Sequence, residues 1–345
     1  MPDHRLADHT TLRLGGPAAT WVEVITEQDL VDAVGQADES GEKVLVLAGG
    51  SNVLVADSGF PGTVVHVRTT GISAEEDTCG GAMVTIAAGE NWDDLVAHAI
   101  EQGWVGVEAL SGIPGSVGAT PIQNVGAYGQ EISQTIATVR CWDRERRRVK
   151  TFAAAECGFG YRTSRFKQHP GRYVVLSVTF QFPLGDLGSP IRYAELAHAL
   201  GAEAGRRVPM TEVRETVLGL RGRKGMVLDP ADHDTWSAGS FFTNPFLADE
   251  QAKSLPDDAP RWEQPDGTVK TSAAWLIEQS GYDKGYGNDR VSLSTKHTLA
   301  ITNRGGASTA DVVALASEIQ HGVHEKFGVR LVNEPVFVEC ELPLL

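Results

Sequence analysis

Cysteine, basic charge and long apolar runs are all scarce in this sequence of 345 residues, and each scarcity excludes a class of function. The four cysteines, Cys79, Cys141, Cys157 and Cys340, lie far apart without a CxxC pair, so neither a zinc site nor a disulfide framework is expected. A net charge of −15 argues against nucleic-acid binding, which depends on basic side chains that neutralise phosphates. With no apolar run of about 18 residues and no export signal, the sequence predicts a reduced, cytoplasmic protein without membrane association.

A metal site is not expected either. His321 and His324 are three residues apart on a predicted helix, but no acidic residue follows at metal-ligand spacing. We therefore interpret both as surface histidines.

Glycine, by contrast, is abundant, with 38 residues that cluster in loops rather than following a period. Glycine permits tight turns and a close approach of the backbone to a ligand. The distribution therefore indicates ligand-binding loops rather than a fibrous protein or a linker.

The hydrophobic pattern predicts an α+β fold. A β-α-β start over residues 20–68 is followed by a strand and an amphipathic helix, and then by alternating segments typical of antiparallel strands over 137–183. From Thr211 the chain alternates helices with short strands, one of them predicted at the "SFF" of 240–242. We predict boundaries that divide the chain into 1–68, 69–207 and 208–345.

The first glycine-rich loop, "AGGSNVLVADSGFPG", comes directly after a buried strand. Successive backbone N–H groups there can point at one anion, and the polar side chains add hydrogen bonds. A simple turn between two strands is an equally good reading of this loop alone. The candidate residues are Gly49, Gly50, Ser51 and Asn52.

The second loop, "ALSGIPGSVGATPIQNVGAYGQEI", has no usable periodicity, and its length in a compact domain favours a function. It matches neither G-x-G-x-x-G nor GxxxxGK[ST], so a Rossmann or P-loop site is not indicated. Small and polar residues could instead lie along a planar ligand. Two such loops predict a bulky nucleotide cofactor, and the absence of His and Cys from both predicts that it is not covalently attached.

Four further segments of the sequence carry candidates for chemistry. Arg162 in "GFGYRTSRFK" could grip a carboxylate in two-pronged fashion. The basic end of "RGRKG", with Arg221, Arg223 and Lys224, suits either the dipole of a helix end or an anionic substrate. Ser240 in "GSFFTNP" is either a polar filler or a proton donor, and Glu334 alone would be read as a solvated carboxylate.

Taken in order, "GGSNVL", "IPGSVGATPIQNVGAYG", "YRTSRFK", "GSFFTNP" and "NEPVFV" resemble the UDP-N-acetylenolpyruvoylglucosamine reductase family. The resemblance covers nearly the whole chain. It departs from the family pattern at "HTTLRLGG", where an Asn-Thr-Phe is usual, and at Ser111, where alanine is frequent. Both departures lie in elements on the cofactor side.

The resemblance implies a two-part FAD-binding domain of the vanillyl-alcohol oxidase type, formed by 1–68 and 69–207, followed by an α+β substrate-binding domain. It implies FAD bound non-covalently and NADPH as the reductant. The reaction would reduce the enolpyruvyl ether of UDP-N-acetylglucosamine to UDP-N-acetylmuramate for bacterial peptidoglycan, and so serve cell shape and division. The chain would be a monomer that binds an anionic UDP-sugar.

By the same resemblance, Arg162, Ser240 and Glu334 are the catalytic set, with Ser240 as proton donor. Tyr193 would cover the sugar nucleotide from a substrate-closing loop, and Lys224 and Asn244 would bind its diphosphate. The cofactor contacts would include, besides Gly49–Asn52, the following residues of the second loop: Ser111, Gly112, Ile113, Pro114, Gly115, Ser116, Gly118, Ala119, Gln123, Asn124, Gly126, Ala127 and Tyr128.

Two other functions remain open. A flavin-dependent alcohol oxidase of the same superfamily would keep the cofactor and change the reaction, although such an oxidase often tethers its flavin. A non-catalytic regulator that binds a sugar nucleotide would keep the scaffold, but the presence of all three catalytic candidates argues against it.

Overall fold

The computed structural model describes residues 4–77 and 79–343, and the chain divides into two compact units. The central unit comprises Ala18–Gly49 and Pro61–Val227. The terminal unit comprises the residues up to Pro17, Gly50–Phe60, and the chain from Leu228 onwards. The predicted domain boundaries after residues 68 and 207 divide the chain by expected function, whereas these units are defined by compactness. The predicted boundaries therefore stay a prediction.

The strands are, in chain order, β1 (Ala18–Val24), β2 (Val44–Leu47), β3 (Val53–Val55), β4 (Phe60–Val67), β5 (Ile72–Asp77), β6 (Gly81–Ala87), β7 (Gly126–Ala127), β8 (Gln130–Glu131), β9 (Ile136–Asp143), β10 (Arg148–Ala153), β11 (Tyr173–Phe182), β12 (Phe246–Leu247), β13 (Arg261–Glu263), β14 (Val269–Thr271), β15 (Val291–Leu293), β16 (Ile301–Asn303) and β17 (Val336–Val338). The helices are α1 (Glu27–Ser40), α2 (Trp92–Glu101), α3 (Arg165–Gln168), α4 (Ala194–Ala199), α5 (Met210–Arg223), α6 (Asp249–Lys253), α7 (Ala273–Gln279) and α8 (Thr309–Phe327).

The described part of the central unit contains a three-stranded sheet, a five-stranded sheet and the two-stranded ribbon β7-β8. The three-stranded sheet has the order β1-β4-β2, in which β2 and β4 run parallel. The helix between β1 and β2, α1, begins after Thr26, whose hydroxyl accepts a hydrogen bond from the Asp29 N–H at 3.1 Å. It ends at Gly41, which has a φ of 72°.

The second sheet of the central unit has five antiparallel strands in the order β10-β9-β11-β6-β5. Its middle strand, β11, is buried along most of its length and contributes Phe180 and Phe182 to the core. Helix α2 begins at Asn91, whose side chain accepts from two backbone N–H groups, and it adds Trp92 to the same core. These elements support the long loop of residues 109–128.

The terminal unit is built around α8. Ser308 and Asp311 form a capping box at its start, and the Asp57 carboxylate accepts from the Thr309 N–H at 2.8 Å. Its apolar face packs in a core with α7 and the short strands β15 and β16. Strand β3 lies parallel to β17, so the stretch directly after Gly49–Asn52 pairs with β17 near the C-terminus.

The strand predicted at 240–242 is wrong. Phe242 forms only an isolated bridge with Asn333, and regular pairing begins later, at β12. Pro245 ends the apolar pair because it has no N–H to donate to a ladder.

Among the described residues, no helix combines the length and apolar character that crossing a membrane requires.

Candidate active site

Ser240 and Glu334 belong to neighbouring backbone segments of the terminal unit. The Glu334 N–H donates to the Phe241 carbonyl at 2.8 Å, and the Thr243 N–H donates to the Val332 carbonyl at 3.0 Å. Phe241 is 1% exposed, and it holds this segment in the core directly after Ser240. The structure therefore brings two members of the predicted catalytic set together.

The end of the first glycine-rich loop joins the same group of segments. The Asn52 carbonyl accepts from the Val336 N–H at 2.9 Å, and its side-chain amide lies 3.4 Å from the Glu334 carbonyl. Gly50 has a φ of 56°, and a Cβ added there would lie 1.9 Å from the His9 carbonyl oxygen. Only glycine fits at this position, which supports the reading of a specialised loop over a simple turn.

The second glycine-rich loop of the central unit is tightly folded rather than extended. It contains short 3-10 turns at Glu108–Leu110 and Val117–Ala119. At Gly49, which belongs to the same unit, an added Cβ would lie 2.8 Å from the Gly115 Cα. Glycine at 49 thus allows the end of β2 to touch the second loop, as two parts of one binding surface would require.

Both loops leave backbone donors available for a ligand. The N–H groups of Ile113, Gly115 and Ser116 in the central unit, and of Gly50 and Ser51 in the terminal unit, find no acceptor within the described chain. Rows of such donors bind anionic and carbonyl oxygens. Each loop, taken by itself, therefore offers donors of the kind that the diphosphate and the polar ring edge of FAD require.

Other predicted cofactor residues have structural partners. The Ser111 hydroxyl donates to the Glu108 carbonyl at 2.7 Å, and the Asn124 side chain donates to the Glu131 carboxylate and the Gly160 carbonyl. Gly118 lies against Ala88, and a Cβ added to Gly118 would come within 2.5 Å of the Ala88 Cβ. These contacts shape the loop, and the individual FAD contacts stay predictions.

Arg162 is fastened to the second loop. Its Nη2 donates to the Gly126 carbonyl at 3.0 Å, and its guanidinium lies 5.7 Å from the centre of the Tyr161 ring. Two residues on, the Ser164 hydroxyl donates to the Ile122 carbonyl at 2.5 Å. Arg162 has a φ of 50°, and a non-glycine residue in that region is held there by its surroundings.

Tyr193 and Lys224, both predicted to bind substrate, meet Tyr128 of the second loop. The rings of Tyr193 and Tyr128 pack edge to face with centroids 5.6 Å apart, and the Lys224 ammonium lies 5.7 Å from the centre of the Tyr128 ring. Burial raises the pKa of the Tyr128 hydroxyl to about 12, so it remains a neutral donor. Asn244 lies in the terminal unit, where its side-chain oxygen accepts from the Ala273 N–H at 2.9 Å and its amide N–H groups remain for a ligand.

Sequence reasoning named Arg221 only as part of a basic cluster. Burial lowers the pKa of its guanidinium to about 10, and its Nε finds no acceptor within the described part of the chain. That Nε would lie 3.4 Å from a Cβ placed on Gly112. The helix that carries it is tied to the same loop through Asp93, which accepts from the Gly112 N–H at 2.6 Å and from Arg214.

A buried carboxylate, Glu108, was missed altogether. It is 1% exposed and accepts from the Gly106 N–H, the Ser189 N–H and the Gln130 side chain, at 2.5 to 2.7 Å. Glu108 thereby joins the start of the second loop to the segment that leads to Tyr193. No local pattern marks such a residue, because a glutamate within "WVGVEALSG" reads as exposed.

Comparison with known proteins assigns the family. Residues 229–338 match the model of the UDP-N-acetylenolpyruvoylglucosamine reductase C-terminal domain, and residues 18–151 match that of an FAD binding domain. The UDP-N-acetylenolpyruvoylglucosamine reductase of Cutibacterium acnes is 57% identical over 99% of this chain and 90% of its own length. The chain belongs to the UDP-N-acetylenolpyruvoylglucosamine reductase family.

Other reductases of this family agree. That of Thermobifida fusca is 55% identical over 98% of this chain and 97% of its own length. The crystal structure of the UDP-N-acetylenolpyruvylglucosamine reductase from Thermus caldophilus, at 26% identity, superimposes with a TM-score of 0.64 over 97% of both chains. The predicted family and the predicted α+β fold with its FAD-binding domain are confirmed.

Proposed function

We propose that Arg162, Ser240 and Glu334 catalyse the reduction of UDP-N-acetylenolpyruvoylglucosamine to UDP-N-acetylmuramate in this chain. Membership of the reductase family confirms the activity itself, with FAD as cofactor and NADPH as reductant. One observation carries the residue assignment furthest: the Glu334 N–H donates to the carbonyl of the residue that follows Ser240. A hydroxyl and a carboxylate from distant parts of the sequence are thereby held on adjacent segments.

The chain's own contribution is to bind, orient and protonate. When bound, FAD would supply hydride chemistry at the methylene carbon of the enolpyruvyl group, with NADPH as the source of the reducing equivalents. Negative charge then develops on the neighbouring carbon and on the substrate carboxylate. Arg162 stabilises this charge, since a fixed cation aimed at developing charge is a large catalytic term.

Ser240 delivers the proton that completes the reduction. A serine hydroxyl is a weak acid in water, so it serves only when it is fixed against a strongly basic carbon. The buried Phe241 and the hydrogen-bonded segment after it supply that fixed position. Glu334, itself 9% exposed, acts as a carboxylic acid that donates a hydrogen bond, or the proton itself, to an oxygen of the substrate carboxylate.

The two glycine-rich loops hold the FAD. Backbone N–H groups of Gly50, Ser51, Ile113, Gly115 and Ser116 are the proposed donors to its oxygen atoms. The remaining predicted loop residues would provide a surface for the planar ring, and Tyr193, Lys224 and Asn244 would bind the UDP moiety. We further propose that the enzyme acts as a cytoplasmic monomer and that its product supports cell shape and division.

The test is Ser240→Ala, followed anaerobically by flavin absorbance. We expect NADPH to bleach the flavin as in the unaltered enzyme, while reoxidation by the enolpyruvyl sugar nucleotide slows by about 10²- to 10⁴-fold. Thr243→Val is the matched control, because Thr243 also places a hydroxyl on this segment, bonded to the Val332 carbonyl at 3.3 Å. A normal rate of reoxidation in Ser240→Ala, or an equally slowed rate in Thr243→Val, would contradict the role of Ser240 as proton donor.

Separate assays on the unaltered protein would distinguish the two alternatives that the sequence left open. Rapid oxygen consumption with simple alcohols, and no reoxidation by the sugar nucleotide, would favour an alcohol oxidase. A protein that binds UDP but contains no flavin, and takes none up, would favour a regulator.

A further inference from the structure

The cation expected to hold the substrate diphosphate already has an anionic partner within the chain. Lys224 caps the C-terminal end of α5, and its ammonium lies 2.7 Å from a carboxylate oxygen of Glu195. The two side chains are 34% and 37% exposed, so a ligand can reach the pair from solvent. Glu195 therefore occupies a position at which a phosphate oxygen could replace it.

This pair is continuous with the tyrosine of the substrate-closing segment. Tyr193 is the residue that caps α4, and Glu195 lies in the first turn of that helix. The Tyr193 ring packs against Tyr128, and the Lys224 ammonium faces the same Tyr128 ring. The Tyr193 segment is thus joined to the end of α5 directly, by the Glu195–Lys224 ion pair, and indirectly, through the Tyr128 ring that both Tyr193 and Lys224 contact.

We propose that Glu195 is an affinity-determining residue: it holds Lys224 in the ligand-free chain and yields it to the diphosphate of the incoming sugar nucleotide. The inference rests on the proposed role of Lys224 and deepens it. A carboxylate and a phosphate are alternative acceptors for one ammonium, and a diphosphate carries the greater negative charge. The ligand must therefore displace an anion that the protein itself supplies, and its affinity is lowered by the strength of that internal pair.

The displacement also has a structural consequence. Once Lys224 is taken by the diphosphate, Glu195 no longer links α4 to α5, and the Tyr193 segment loses one of its contacts. Diphosphate binding and adjustment of Tyr193 are thereby coupled through a single carboxylate. An exposed ion pair of this kind changes an equilibrium by roughly 1.4- to 5-fold, which sets the expected size of the effect.

The experiment measures UDP binding to the FAD-loaded enzyme by titration calorimetry. Glu195→Gln keeps the side-chain volume and removes the charge, and we expect it to bind UDP about two- to five-fold more tightly. Glu212→Gln is the charge-matched control. Glu212 lies on the exposed face near the start of α5, roughly 18 Å along the helix from Lys224, well beyond a Debye length of about 8 Å. Glu212→Gln should leave the affinity for UDP unchanged. Unchanged or weaker binding of UDP by Glu195→Gln would overturn the proposal.

Lys224→Met separates this proposal from the one on which it rests. If Lys224→Met binds UDP as well as the unaltered enzyme, the diphosphate assignment itself is wrong. If it weakens UDP binding, Glu195→Gln should have no further effect in the Lys224→Met background. If Glu195→Gln still increased the affinity for UDP in the Lys224→Met background, Glu195 would act through another group. That result would refute the proposed competition between Glu195 and the diphosphate for Lys224. Uridine, which lacks phosphate, should bind equally to Glu195→Gln and the unaltered enzyme.

Discussion

Replacement of Glu108 by alanine tests how the second loop is held in place. Its carboxylate is 1% exposed and accepts three hydrogen bonds, from the Gly106 N–H, the Ser189 N–H and the Gln130 amide. The Gln130 carbonyl oxygen in turn accepts from the Ala109 N–H at 2.7 Å. Removal of the carboxylate therefore affects four polar contacts in one buried network.

The magnitude follows from the donors that lose their acceptor. A buried donor left without an acceptor costs about 1–3 kcal/mol, and Glu108→Ala removes the acceptor of three donors. Neighbouring terms in one network do not add fully, and we expect a loss of about 3–5 kcal/mol in the free energy of unfolding. Glu108→Gln keeps one acceptor oxygen but turns an NH₂ group towards an existing donor, so its expected loss is about 1–3 kcal/mol.

The assay is urea unfolding of the central unit, followed by tryptophan fluorescence, since Trp92 and Trp104 are buried there. Glu203→Ala is the control, because Glu203 is exposed in the same unit and such a change stays within about 0.5 kcal/mol. A loss below about 1 kcal/mol in Glu108→Ala would refute the view that this carboxylate organises the loop.

Two further predictions address the terminal unit and its response to acid. Gly50→Ala should lower the flavin content of the purified protein, measured as the ratio of flavin to protein absorbance, because its Cβ would lie 1.9 Å from the His9 carbonyl oxygen. Gly41→Ala, with a similar φ of 72° and no atom within 4 Å of the added Cβ, should leave that content unchanged. For Asp234, burial raises the pKa, but hydrogen bonds from Thr295 and the charge of Arg304 outweigh burial and hold the pKa below its usual 3.8. A carboxyl whose pKa is lower in the folded state stabilises the fold at pH values above its pKa in the unfolded chain. That contribution is lost as the pH falls through its pKa in the folded chain. The melting temperature should therefore fall less steeply below about pH 4 in Asp234→Asn than in the unaltered protein, and equal slopes would contradict this account.

Much of the local structure and the family follow from the sequence alone. The caps of α1 and α8 are local signals, and the structure begins and ends these helices at Thr26, Gly41, Ser308 and Gly328. The two glycine-rich loops stand out because their composition is unusual over short stretches. Five short motifs in a fixed order were enough to indicate the reductase family, which the comparisons confirm.

Tertiary structure alone decided which distant residues meet and which charges are buried. The hydrogen bond between Glu334 and Phe241 sets Glu334 beside the Ser240 segment, and the pairing of Glu195 with Lys224 joins two helices. Neither contact leaves a periodic or compositional trace, because a backbone hydrogen bond does not depend on residue type and the two charged partners look like ordinary surface residues within their own segments. Glu108 shows the same limit: only the folded chain places three donors around one carboxylate, and those donors make its burial stable.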